Sequence, residues 1–157
     1  MDETIETGPM RAGTPWHVWV VGVLALLWNT FGAYDYIMSK TGNRDYLASM
    51  MEPVGVTVDD AIAYMNAMPL WANIGWGLGV WGAVAGSLLV LLRSRFAFHA
   101  FVVSLIGLVL GTFHQLSSPM PGMTDTTTPM IFTAVIFVIT LLLIWYTRRQ
   151  SANGVLR

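Results

Sequence analysis

Four long apolar stretches dominate the chain, at Trp16–Met38, Leu70–Leu92, Phe96–Leu116 and Pro129–Tyr146. Each approaches or exceeds the roughly 20 residues that a helix needs to cross a bilayer. The pattern predicts an all-α, polytopic membrane protein: a four-transmembrane-helix antiparallel bundle. Residues 1–15 form a polar, loosely ordered tail, 16–148 the transmembrane domain, and 149–157 a second tail. The tail ahead of the first stretch carries Asp2, Glu3 and Glu6 instead of a basic start, so that stretch is expected to be a retained helix and not a cleaved leader.

Within the spans, small and polar residues recur at helical spacing. Gly22, Ala25, Asn29, Gly32 and Tyr36 share one face of the first span. A lipid-facing Asn is costly, so this face is expected to turn inward. The second span carries Ala72, Gly75, Gly79, Gly82 and Gly86, and the third Ala100, Ser104, Gly107, Gly111 and His114. Stripes of this kind let helix backbones approach closely. The short Arg93-Ser94-Arg95 reversal makes spans two and three a hairpin. The last span has no glycine, with Thr133 and Thr140 as its interior polar groups, and reads as the most lipid-exposed helix or as an oligomer contact.

The connection 39–69 is the one long one. It predicts a short helix over Asn43–Met51, stopped before Pro53, and a second that starts at Thr57 with Asp60 in its first turn. These lie along the membrane surface or cap the bundle. Pro119 and Pro121 break the chain after the third span.

Composition adds to this picture mainly by exclusion. Charged residues are 11% of the chain, against about 25% in a soluble domain, and hydrophobic residues 55%. No basic patch suits nucleic acid. There is no cysteine, hence no disulfide and no thiolate ligand. His17, His99 and His114 are spread over both membrane sides, which suits neither a haem pair nor a tetrahedral metal site. Neither a hydrolase motif nor a phosphate loop is present, so no enzymatic role and no cofactor are expected. Trp71, Trp76 and Trp81 flank the second span's stripe, where they either stack on a pigment or quinone or serve as packing and interface anchors.

Candidate binding chemistry gathers at one end of the spans. Asp35 ends the first span, Asn73 begins the second, and His114 and Gln115 end the third. A carboxylate beside an imidazole can bind a cation or pass a proton. Asn29 and Asn73 can hydrogen-bond a neutral polar solute, and Tyr36 and Trp71 can stack on a sugar or another flat face. The bland alternative is that the same groups are satisfied by water and loop amides at the interface. The expected role is transport or binding of a small polar solute, and the alternative a non-catalytic accessory subunit of a larger membrane complex. Without an internal repeat, a transport role implies a homo-oligomer. Besides membrane lipids, the expected partners are therefore further copies or other subunits.

The run Trp28-Asn29-x-x-Gly32-x-x-Asp35-Tyr36-x-Met38, then Thr41, Asn43 and Tyr46-Leu47, resembles a family of small bacterial inner-membrane proteins. Pro69-x-Trp71, Trp76-x-x-Gly79-Val80-Trp81, Gly86-Ser87-x-Leu89, Arg93-x-Arg95 and Ser104-Leu105-x-Gly107 continue the likeness. Members are often labelled hypothetical membrane proteins and sometimes sugar transporters. The resemblance implies a bacterial inner-membrane location and a transport role. The family pattern has a Gln and aromatic residues before the Pro-x-Trp, where this chain reads Asp59-Asp60-Ala61-Ile62-Ala63-Tyr64.

Charge sets the expected orientation. Arg11, Arg93, Arg95, Arg148, Arg149 and Arg157 fall on one side, and Lys40 and Arg44 on the other. The side richer in arginine is expected to be cytoplasmic, with both termini there. In a chain without cysteine, Thr126→Cys should react with an impermeant maleimide from outside intact cells. Ser151→Cys should react only after permeabilisation; equal outside labelling of both would refute the topology.

Overall fold

The computed structural model of the chain describes residues 13–157, so Arg11 and most of the expected N-terminal tail lie outside the described residues. Among the described residues six α-helices follow one another: α1 (Trp16–Lys40), α2 (Arg44–Met51), α3 (Val58–Ala67), α4 (Leu70–Leu91), α5 (Phe96–Ser117) and α6 (Thr127–Ala152). A single 3-10 turn, Glu52–Val54, links α2 to α3. No strand occurs among the described residues. The long helices α1, α4, α5 and α6 have 25, 22, 22 and 26 residues. At 1.5 Å per residue each exceeds the roughly 30 Å of a bilayer's hydrocarbon core. The fold is all-α and fits a four-span membrane bundle with helical connections.

The hairpin α4–α5 is the centre of the bundle, with α1 packed on α4 and α6 on α5. Gly75, Gly79 and Gly107 bring the two backbones together. A Cβ at Gly107 would overlap main-chain atoms of Gly75 and Gly79, and one at Gly82 would lie 3.0 Å from the Ser104 amide nitrogen. The Ser104 hydroxyl donates to the Gly79 carbonyl at 2.6 Å, so a polar bond crosses the same seam. At Gly86 the gap left by the missing side chain is filled by the ring of Phe101, which is fully buried. The stripes do not act along their whole length. Around Gly32 and Gly111 an added Cβ would meet nothing within 4 Å, so these two glycines lie outside the tight contacts.

Polar side chains fasten the other helices. The Asn29 amide of α1 donates to the Ser87 hydroxyl at 2.8 Å and to the Ala83 carbonyl at 3.3 Å, both on α4. On α6, Thr140, Leu143, Thr147 and Gln150 are buried at spacings of three and four. The two threonines bond the Ile136 and Leu143 carbonyls of their own helix. The outward residues Leu141, Leu142 and Trp145 are exposed. This is the arrangement of a helix whose solvent is lipid, with the polar stripe inside and the apolar face outside.

Helix ends explain where the spans stop. Asp125 accepts from the amides of Thr127 and Thr128 and from the Thr128 hydroxyl, which caps α6 and holds its carboxyl below the ordinary value. Thr57 caps α3 as expected, accepting from the Asp60 amide, and Asn43, expected as the first residue of the short helix, instead stands one position ahead of α2 as its cap, accepting from the Tyr46 amide. At the other end α6 runs through Arg148 and Arg149 to Ala152, beyond its apolar stretch, because Thr147 and Gln150 continue the buried stripe. The following residues fold back. Val155 and Leu156 join the core cluster of Val18, Val90, Ala97, Phe101 and Leu143. The amide of Arg157 donates to the Arg93 carbonyl at 2.8 Å, and the amide of Arg95 to the Arg157 carbonyl at 2.9 Å. This clasp braces the α4–α5 turn, where Arg93 has the left-handed φ of 56° that normally favours glycine. The Ser151 hydroxyl is buried without a partner, so exposed Ala152 is the better position for a topology-reporting cysteine.

On the opposite end the two loops pack together. Val54, Val56 and Ala61 cluster with Met51, Met120 and Met123, and the Thr124 amide donates to the Val54 carbonyl at 2.9 Å. The seam makes a sharp prediction. Gly107→Ala should destabilise the detergent-solubilised protein by about 1–3 kcal/mol or more, the usual cost of overpacking. Gly111→Ala, on the same face one turn later, should be neutral or slightly stabilising. Equal melting temperatures for the two variants would show that the α4–α5 seam is not a contact.

Candidate functional site

The residues singled out at the end of the spans separate into three places. Asp35, in the last turns of α1, accepts a 2.7 Å hydrogen bond from the Tyr46 phenol of α2, and Tyr34 meets the same ring edge-on at 5.6 Å. This pair ties the connection to α1. Desolvation on burial, and then the Asp35 carboxylate, push the Tyr46 phenol well above its ordinary value.

His114 forms the second place. Its ring is buried at 7% exposure, stacked on Tyr64 of α3 at 5.6 Å and edge-on to Trp71 of α4 at 5.6 Å. The Tyr64 hydroxyl donates to the Ser118 carbonyl at 2.8 Å, which holds α3 over the end of α5. Burial also pushes the Tyr64 phenol up. The His114 Nε2 is buried without a partner. Gln115, next in sequence, is on a different face of the helix and is exposed. Asn29 lies deeper, between α1 and α4, with its amide committed to Ser87 and Ala83.

The third place is an open groove of about 430 Å³ between α1 and α4, lined by Tyr36, Lys40, Asn73, Ile74, Gly77, Leu78 and Trp81. It brings together Tyr36 and Asn73 of the sequence-derived set. Its polar end is at the membrane interface. The Lys40 ammonium donates to the Asn73 side-chain oxygen and sits 5.2 Å from the centroid of the Trp76 ring. The Asn73 amide donates to the Met68 carbonyl at 2.9 Å, which fixes the side chain's orientation. Tyr36 packs edge-on against Trp76 at 4.8 Å and Trp81 at 6.2 Å. Below this polar end the lining is apolar, with Ile74, Leu78 and Trp81 exposed.

Local helix geometry builds the groove. Tyr36 and Lys40 are four residues apart on α1, and Asn73, Gly77 and Trp81 four apart on α4, so each helix presents one continuous edge. Gly77 leaves the floor open, since a Cβ there would meet only the Tyr36 ring, its hydroxyl at 3.4 Å. In the sequence alone, Lys40 enters only through the charge balance. The signal that finds it is its place one turn after Tyr36. The side chain that faces it, Asn73, is set by helix-to-helix register, which a single sequence does not state.

Comparison with protein-family models, with curated proteins and with solved structures finds no match.

The Tyr46–Asp35 pair has a pH signature. A phenol whose folded value is raised contributes stability that is fully present below its unfolded value, about 10, and is lost as pH rises from there toward the folded value. Melting temperature should therefore fall above about pH 10, and Tyr46→Phe should flatten part of that fall. Ultraviolet titration should show one fewer late-ionising tyrosine in Tyr46→Phe. An unchanged titration would contradict the pairing.

Proposed function

We propose that this small integral membrane protein binds a small polar solute on the side that carries the long connection, with the α1–α4 groove as its site. The observation that carries the reading is a cation, an amide and aromatic rings converging on one open groove. Lys40 and Asn73 supply the polar contacts, Tyr36 and Trp81 the flat apolar faces, and Gly77 the space. Asn29 and Asp35 take supporting roles, because they lie outside the groove lining and the Asn29 amide nitrogen and one Asp35 oxygen fasten α1 to Ser87 and Tyr46. His114 and Trp71 hold α3 against the bundle. The groove side is taken as the outside of a bacterial inner membrane, with both termini in the cytoplasm. Binding of this kind serves uptake when several copies, or a larger assembly, supply the rest of a pathway.

One observation favours a second reading, that of an accessory subunit. Helix α6 packs mainly on α5 and leaves Ile131, Val138, Leu141, Leu142 and Trp145 exposed. Its outer face offers contact surface to a neighbouring membrane protein as readily as to lipid.

The test is native purification followed by mass spectrometry of what remains bound. The parent should retain a small molecule that Gly77→Leu, which fills the groove, loses. Asp35→Asn and His114→Ala should lower the melting temperature yet keep the bound molecule. If the parent carries nothing beyond a partner protein, the accessory reading replaces the binding one.

A further inference from the structure

The groove's shape and charge restrict what it takes. Its length is set by Asn73 and Trp81, eight residues apart, or about 12 Å along the helix. It begins at the last residue of α1 and the first turn of α4, at the membrane interface, and runs toward the bilayer centre. It is open along its side, so an occupant shares it with lipid. One end is cationic, and the remainder is hydrocarbon and indole. A soluble sugar or ion would leave the apolar length uncovered. An amphiphile with a negative head covers both parts.

The side as a whole is net acidic, with Asp35, Asp45, Glu52, Asp59, Asp60 and Asp125, so the case for a negative head rests on the charge at the groove mouth alone. The sequence places two basic residues on this side, Lys40 and Arg44. Arg44 is paired with Asp59 at 2.9 Å, the ion pair found among the described residues. Lys40 has no carboxylate partner there. Its contacts are the neutral oxygen of Asn73 and the face of Trp76. An ammonium carries three donors, so this one keeps capacity for an acceptor. At interface depth the abundant acceptor is a lipid phosphate.

We infer that the α1–α4 groove is a site for one anionic phospholipid, its phosphate held by Lys40 beside Asn73 and Tyr36, and an acyl chain laid along Ile74, Leu78 and Trp81. The inference rests on the binding role proposed for this groove and replaces the small polar solute by a membrane amphiphile as its occupant. A lysine at a helix end commonly meets headgroups without selecting among them. What distinguishes this one is that Asn73 and Trp76 fix the ammonium at the head of a groove with space for a chain. Retention should therefore be single and charge-selective.

The experiment is native mass spectrometry of the purified, detergent-solubilised protein titrated with phosphatidylglycerol or phosphatidylcholine at equal concentration. The parent should retain one phosphatidylglycerol in preference to phosphatidylcholine. Lys40→Gln should reduce that preference about fivefold, the usual worth of one basic residue at an anionic surface. Lys40→Arg should restore most of it, Arg44→Gln should leave it unchanged, and Gly77→Leu should abolish single-lipid retention. Melting curves confirm that each variant is folded, and Trp81→Ala, exposed on the groove wall, serves should Gly77→Leu fail to fold. Equal retention of the two lipids by the parent, or an unchanged preference in Lys40→Gln, overturns the inference. If Gly77→Leu nevertheless loses a non-lipid molecule that the parent carries, the groove remains a binding site with a different ligand. If Gly77→Leu retains everything the parent does, the binding role of the groove fails as well.

Discussion

Where Gly75 and Gly79 of α4 face Gly107 of α5, main chain meets main chain with no side chain between. In a bilayer no hydrophobic force draws helices together, because lipid tails are as apolar as leucine. Association depends on dispersion at close range and on polar bonds that lipid cannot replace. The α4–α5 seam supplies both, through its glycines and through the Ser104 bond to Gly79. Everything else is placed relative to it. Helix α1 packs on α4 away from the seam, with Asn29 fixing its depth, and the groove is the space left where α1 and α4 separate.

The polar residues that gave the sequence its recognisable pattern largely find one another. Asn29 meets Ser87, Asp35 meets Tyr46, Tyr36 meets Trp76 and Trp81, and Ser104 meets the Gly79 backbone. Such a set describes how a bundle is fastened before it describes what the bundle does. A buried polar group in lipid needs a partner, and most of these have one inside the chain. Lys40 stands apart, since its partners are a neutral oxygen and a ring face at the head of the groove.

The spans were legible because each is a property of one segment: its length and apolarity decide it. The cap at Thr57 was legible for the same reason, and the α2 helix to within one residue at its start. The seam was half legible. Spacing put Gly107 and Gly111 on one face, yet the first is in backbone contact and the second is open, because helices cross and part. The grouping of the site was legible only in part, in the pairs Tyr36 with Asn73 and Trp71 with His114. Asp35, Asn73, His114 and Gln115 lie near one membrane face, but that level is shared by the whole circumference of the bundle. Rotation of each helix about its axis sends Asp35 toward α2, Asn73 toward Lys40 and His114 beneath Tyr64. Apolar moments in membrane helices are weak guides to that rotation, since lipid and protein interior are chemically alike.

The tight turn between α4 and α5 also bears on the order in which the bundle forms. Its partners are adjacent in the chain, so joining them closes a loop of only a few residues and sacrifices little chain entropy. For α1 to reach α4, the whole of 41–69 must be gathered in, with two short helices and a 3-10 turn to place. The hairpin is thus the natural first assembly unit, a preformed wall on which the remaining spans settle. A lesion at Gly107 would act at that opening step, before α1 has docked and before any groove exists.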